Sequence, residues 1–355
     1  MTVHDPILAA AQRARAAIPD DTAMLRAAAD LTRAYSTANP RIYWTDLLAS
    51  ALVGWGAMAG AILVDNVAIA LACALVSMLA LYRAASFIHE LTHIRKGALP
   101  GFRFAWNLIV GVPLMIPSFM YEGVHTQHHQ RTRYGTAEDP EYLPLALMKP
   151  WSLPLFIIVA SLAPIGLILR FGVLTPLSLL IPALRRKVVA EFSALSINPA
   201  YRRRAPEGEF ARQWAWQEAG ACLFALALVG SVFAFGWKPL LVYMAIHSAM
   251  TVINQLRTLV AHLWENEGEP MTVTAQYLDS VNVPPPGTLP ALWAPVGLRY
   301  HALHHLLPSV PYHALGKAHA QLIATLDEQS PYHRGNYKGM LPLVGKIARS
   351  TMAAR

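Results

Sequence analysis

Apolar positions in this chain gather into long unbroken runs, without the alternation expected of soluble strands or amphipathic helices. Between positions 47 and 82 the only charge is Asp65. It separates runs at 47–64 and 66–82, each about 25–27 Å long as a helix, close to the hydrocarbon thickness of a bilayer. An Asp65-Asn66 turn between two such runs predicts a membrane hairpin. The design returns at 219–237 and 239–256, joined by Trp237-Lys238-Pro239.

Two further apolar stretches are interrupted by proline. The first, 104–121, carries Pro113 and Pro117; the second, 151–184, carries one charge, Arg170, with Pro154, Pro164, Pro176 and Pro182. Proline removes a backbone donor and clashes with the preceding turn, so straight spans are not expected. Both are read as re-entrant or interfacial, with a there-and-back hairpin as the alternative for the second. Either reading gives an even number of crossings. Residues 1–46, with Arg13, Arg15, Arg26, Arg33 and Arg41 among alanines, read as a soluble or interfacial segment. Positions 47–326 read as the membrane domain and 327–355 as a tail, with a helical pattern at 316–326. The expected fold is all-α and integral to the membrane: two transmembrane hairpins, about four spans, beneath a cytoplasmic helical cap.

Composition narrows this further. Of 355 residues 55% are hydrophobic and 14% are Asp, Glu, Lys or Arg, against about 25% charged in ordinary globular proteins. Two soluble domains are excluded because too little charge is available to coat them. Cys73 and Cys222, the only cysteines, lie in apolar runs and exclude a disulfide scaffold. The formal charge of +8 comes without a basic face interleaved with aromatics, so no nucleic-acid partner is expected. The basic clusters 185–187 and 202–204 fall on the same side of the hairpins as the arginine-rich N-terminus. The positive-inside rule therefore places both termini and the loops between hairpins in the cytoplasm.

Those loops hold most of the 14 histidines. His89-Glu-Leu-Thr-His93 follows the second run, His125-Thr-Gln-His128-His129 follows the first proline-broken stretch, and His301-Ala-Leu-His304-His305 lies near the C-terminus. On a helix, residues i, i+3 and i+4 share a face, so each cluster is expected to aim two or three imidazoles at one point. Imidazole suits iron, copper, nickel and zinc. A lone HxxxH arises by chance in roughly one of two such chains, whereas two HxxHH boxes together arise in roughly a few per ten thousand. His89-Glu90-x-x-His93 also fits the HExxH of zinc peptidases, with Glu90 as base. That reading leaves six clustered histidines idle. His4, His313, His319 and His333 stand outside the clusters and read as ordinary polar residues.

The order HxxxH, HxxHH, HxxHH around two membrane hairpins resembles the membrane fatty acid desaturase–hydroxylase superfamily. The likeness extends to Gly135-Thr136-x-x-Asp139-Pro140-Glu141-Tyr142, to Asn254-x-x-Arg257-Thr258-x-x-x-His262, and to the Pro308-x-x-Pro311-Tyr312-His313 that follows the last box. The resemblance implies a non-haem di-iron centre of two iron ions that uses O2 to attack an unactivated C–H bond. Its implied ligands are His89, His93, His125, His128, His129, His301, His304 and His305. In the acyl-CoA branch a further histidine completes the set and an asparagine one turn earlier holds a metal-bound water. His262 takes the first place; Thr258 stands where that asparagine would be, and Asn254 lies a further turn back. His247, about 22 Å from His262 along a helix, is read as bonded within the bundle or lining the substrate path. Glu90, Asp139, Asn254, Arg257 and Asp279 are expected to support the ligands.

The chain has no His-Pro-Gly-Gly haem motif, no CxxC pair and no dinucleotide fingerprint. Electrons are therefore expected from a separate carrier, a ferredoxin, rubredoxin or cytochrome b5. The leading expectation is a desaturase acting on the acyl chain of a lipid or thioester. The alternatives are a hydroxylase or ketolase on an acyl chain, alkane or carotenoid, and a non-catalytic protein with a structural metal site.

Overall fold

The computed structural model describes residues 14–353. His4 and Arg13 lie outside them. The described residues are helical throughout with no β-strand, and three isolated bridges tie the cap loops together. Helix α1 (Thr22–Tyr35) precedes the first long pair, α2 (Pro40–Leu63) and α3 (Val67–His93). Asn39 caps α2 at Arg41 N, with Pro40 at the first position, and Asn66 caps α3 at Ile69 N. Both caps occupy amides that have no partner within the helix. Small residues let the pair close: a Cβ on Gly54 would come within 2.7 Å of the Leu81 side chain, and Ser77 donates to Gly54 O at 2.9 Å. Between helices in lipid, close backbone approach of this kind stands in for the hydrophobic effect.

The proline-broken stretches behave differently from each other. The first is a short helix, Phe102–Trp106, that widens into a π turn at Asn107–Gly111 and comes back through Ser118–Met120. It enters the bundle deeply. Trp55 donates to Ile109 O and Tyr243 to Pro113 O, both at 2.8 Å. The Asn107 amide pins the two limbs together at Arg103 O and Ser118.

The second stretch forms α4 (Ser152–Ser161), α5 (Ala163–Leu180) and α6 (Pro182–Glu191). Prolines were expected to prevent a long helix here, yet α5 joins the other long helices as a fifth long and apolar enough to span a bilayer. Pro154, Pro164 and Pro182 fall in the first turn of a helix, where the N–H has no partner within the helix, and Pro176 lies inside α5 just after its widened turn at Leu169–Leu174. A wide turn at Leu169–Leu174 carries Arg170 inward. There Arg170 and Arg185 both bond Glu218, at 2.6 and 2.7 Å.

Helices α7 (Gly208–Phe235) and α8 (Lys238–Leu259) form the second pair. Gly236 makes the turn at φ 71°. Lys238 reaches Val64 O at 3.3 Å and Asp65 at 3.9 Å, so both hairpin turns lie at one end of the molecule. The cap sits at the other, built from α9 (Val273–Asp279), α10 (His301–Leu306) and α11 (Tyr312–Thr325). Met24, Ala28 and Leu31 of α1 pack in one cluster with Leu315 and Leu322 of α11. The stretch 327–355, expected to trail as a tail, instead contributes α12 (Met340–Ala353). Its Leu343, Ile347 and Thr351 repeat every four residues and are buried against the cap.

Candidate metal centre

Nine histidines converge at the junction of the long helices and the cap. The last turns of α3 carry His89 and His93, the short helix His125–His128 and its cap carry the second box, and α10 carries the third. His262 follows the end of α8, fixed by an antiparallel bridge to Ser280. The nine fall into two groups whose ring nitrogens lie within 4.8 Å of one another: His89, His93, His125, His129 and His304, and His128, His262, His301 and His305. His262 therefore joins the boxes, and His247 does not. Both His247 nitrogens are buried without a partner, so the expected bond within the bundle is not formed.

One expectation is corrected. Each box was expected to serve one point, but the two HxxHH boxes are shared between the groups. The i,i+4 pairs stay together, His125 with His129 and His301 with His305, while the i+3 residues His128 and His304 cross to the other group. Adjacent helical residues point about 100° apart, so His128 and His129 cannot meet at one ion.

The fit to metal rests on nitrogen spacing and orphaned atoms. Nε2 atoms approach one another at 2.9 Å (His125–His129, His262–His301), 3.1 Å (His93–His304) and 3.2 Å (His129–His304, His301–His305). Metal–nitrogen bonds of about 2.1 Å give neighbouring ligands about 3 Å apart. Both nitrogens of buried His89 lack a protein partner. Burial, then neighbouring imidazoles, hold His125, His129, His304 and His305 well below the usual histidine pKa. They are thus neutral, as ligands must be. The nine can hold two metal ions.

Outer hydrogen bonds orient several rings. Fully buried Asp139 meets His128 Nδ1 at 2.9 and 3.0 Å and accepts from Gly135 N and Glu141 N. Burial opposes charge on His128, and the Asp139 carboxylate overcomes it and raises the pKa. Gly135, at φ 70°, makes the turn that returns Asp139 to the box; a Cβ there would lie 2.7 Å from Asn266 Nδ2. Tyr134 Oη contacts His262 Nδ1 at 2.8 Å and donates to Asp279, which also accepts from Tyr142. Burial pushes Asp279 up to about 6.

Glu90 accepts from Tyr43 Oη and from Tyr312 N, with His89 Nδ1 3.8 Å away. A carboxylate so engaged, beside histidines shared with two other boxes, does not form a peptidase site. Asn254 and Arg257 make no hydrogen bond to a box histidine; Arg257 only approaches Asn254 Oδ1 at 3.5 Å. Sequence reasoning passed over Glu141, whose carboxylate meets His125 Nδ1 at 2.9 Å and accepts from Tyr121 at 2.8 Å. The signal was present in Asp139-Pro140-Glu141, a pair of acids two apart and close behind the box. Of the other histidines, His319 bonds Tyr332, His313 accepts from Asn39 N and His333 meets Asp327 O.

An all-helical bundle of membrane-length helices closed at one end by two histidine groups defines the class of membrane desaturases and hydroxylases. The fatty acid desaturase family profile matches residues 65–337, and the chain belongs to that family. It is similar to a protein of Caulobacter vibrioides named ceramide hydroxylase, with 50% identity over 332 residues, 93% of this chain and 94% of the relative. No solved structure gives a significant match.

Proposed function

We propose that this protein is an O2-dependent di-iron hydroxylase of a ceramide-type lipid. The observation that supports it is the 50% identity to a ceramide hydroxylase across nearly the whole chain, joined to two histidine groups of matching chemistry. This displaces the desaturase expectation in favour of its hydroxylase alternative. The nine histidines would be the ligands of two iron ions, which supply the O2 chemistry: a C–H bond, O2, two electrons and two protons become C–OH and water. Asp139, Glu141 and the Tyr134–Asp279 pair hold the imidazoles in the orientation that presents Nε2 inward. Burial under the cap keeps bulk water from the ligands. Electrons come from a separate acidic carrier of ferredoxin, rubredoxin or cytochrome b5 type. The cap, the histidines and both termini face the cytoplasm, by the basic residues they carry.

The test is expression in a host that makes ceramides, with a His304→Ala control and lipid mass spectrometry under labelled O2. Ceramide heavier by one labelled oxygen supports the reading. Product lacking two hydrogens and carrying no label returns the protein to the desaturases. Orientation is checked by cysteines placed at Asp65 and at Gln127: a reagent that cannot cross the membrane should label the first alone from outside.

A further inference from the structure

Among the described residues, the arginines of the membrane half that are withdrawn from solvent have partners, with one exception. Arg83 pairs with Asp46 at 2.5 Å, Arg103 with Glu122 at 2.5 Å, and Arg170 and Arg185 with Glu218. Arg203 donates to two backbone carbonyls. Arg257 has no carboxylate among the described residues. Its Nε is buried without a partner; Asn254 Oδ1 lies 3.5 Å from Nη2, the limit of a hydrogen bond, and the Tyr82 hydroxyl is its other polar neighbour. A guanidinium stays protonated at any accessible pH, and leaving it unpaired in a low-dielectric site is costly.

Its position is specific. Tyr82, beside Arg257, lies seven residues before His89 on α3 and so on the same face. Asn254 and Arg257 occupy the end of α8 just before His262. The three polar groups therefore sit between α3 and α8, directly beneath the metal centre, and the Arg257 charge helps hold His262 and His301 neutral after burial and nearby imidazoles. The Tyr82 hydroxyl donates to Trp293 O of a short turn whose Leu289 and Leu292 are exposed. Deeper along α8, His247 is likewise buried with both nitrogens unpartnered. This side of α8 is thus short of acceptors and donors that the chain itself does not provide.

We infer that Arg257, flanked by Asn254 and Tyr82, binds the carbonyl oxygen of the lipid head and so sets which carbon lies beside the metal centre. The ligand chemistry is a carbonyl-bearing acyl head, an amide as in ceramide or a carboxylate as in a free fatty acid. The inference rests on the function proposed above. Guanidinium donates and cannot accept, so a hydrocarbon without an oxygen would leave it unsatisfied; a hydroxyl offers one acceptor oxygen, whereas an acyl head places a carbonyl at a fixed distance from the chain that is to be oxidised.

The experiment compares full-length wild type, Arg257→Met and Arg257→Lys in nanodiscs, with ceramide and with the free fatty acid of equal chain length. KM, kcat, hydroxyl position, bound iron and equilibrium binding of each fluorescent lipid are measured. Arg257→Met should weaken binding and raise KM about 10–100-fold, the scale of a lost hydrogen bond to a charged group, with iron unchanged. The hydroxyl should scatter to neighbouring carbons, and Arg257→Lys should restore part of the affinity. Whichever lipid shows the larger loss identifies the head that Arg257 holds. Unchanged binding and hydroxyl position in Arg257→Met overturn the inference, as does iron loss in both variants, which would make the residue structural. If wild type hydroxylates neither lipid, the proposed function fails, and the binding ratio between wild type and Arg257→Met still decides the anchor.

Discussion

The four-histidine group and the five-histidine group differ in what stands behind them. In the first, His128 leans on both oxygens of Asp139, and His262 on Tyr134 and Ser280, with Asp279 behind Tyr134. In the second, His125 alone has a carboxylate at Nδ1, from Glu141. His89 has no partner, and His93 lines a cavity of about 250 Å³ with Tyr43, Glu90, Arg95 and Pro308. Two of the four histidines in one group are braced from outside, with His301 Nδ1 left unpartnered, whereas the other group has one histidine more and borders open space at His93.

The contrast is broken most directly by deleting one ligand from each group. His128→Ala leaves three histidines and a buried Asp139 without its partner, so bound iron should fall from about two to about one per chain, with turnover lost. His93→Ala leaves four, and iron should stay near about two. Equal metal loss in both variants would erase the distinction.

Altering the braces should have smaller effects. Asp139→Asn keeps the volume and removes the charge behind His128, and metal affinity should drop about 10–100-fold in competition with a chelator. Glu141→Gln should cost less, because Tyr121 remains 2.8 Å from His125 Nδ1. The smallest change is expected for Tyr134→Phe, since Ser280 Oγ stays 3.2 Å from His262 Nδ1. A larger loss from Tyr134→Phe than from Asp139→Asn would show that the Tyr134–Asp279 pair is the main brace.

Much of this was legible in the sequence because membranes impose simple rules. A single Asp65 between two apolar runs is enough to mark a hairpin, and boxes at i, i+3 and i+4 are enough to mark the histidines that the fold gathers in one place. The crossing of His128 and His304 could not be read from spacing alone, because it depends on where the two groups sit around each short helix. The prolines at 151–184 could not be placed from their count alone, since their effect depends on position: Pro164 opens α5 and Pro176 follows its widened turn. The role of Glu141 depends on the turn at Gly135 that folds Asp139 and Glu141 back onto the second box, and the isolation of Arg257 on the packing of α3 against α8.

The length of α3 carries a consequence for where this protein can work. Its 27 residues make a rod of about 40 Å against a hydrocarbon layer of about 30 Å. The surplus lies at the end that bears His89 and His93. A bilayer thick enough to match the rod draws that end down among the acyl chains, while a thinner one leaves it standing above them or forces the rod to lean. An acyl chain lifted to the raised end loses about 0.8 kcal/mol for each methylene drawn out of the oil. Turnover should therefore vary with the thickness of the host membrane, through the length of α3.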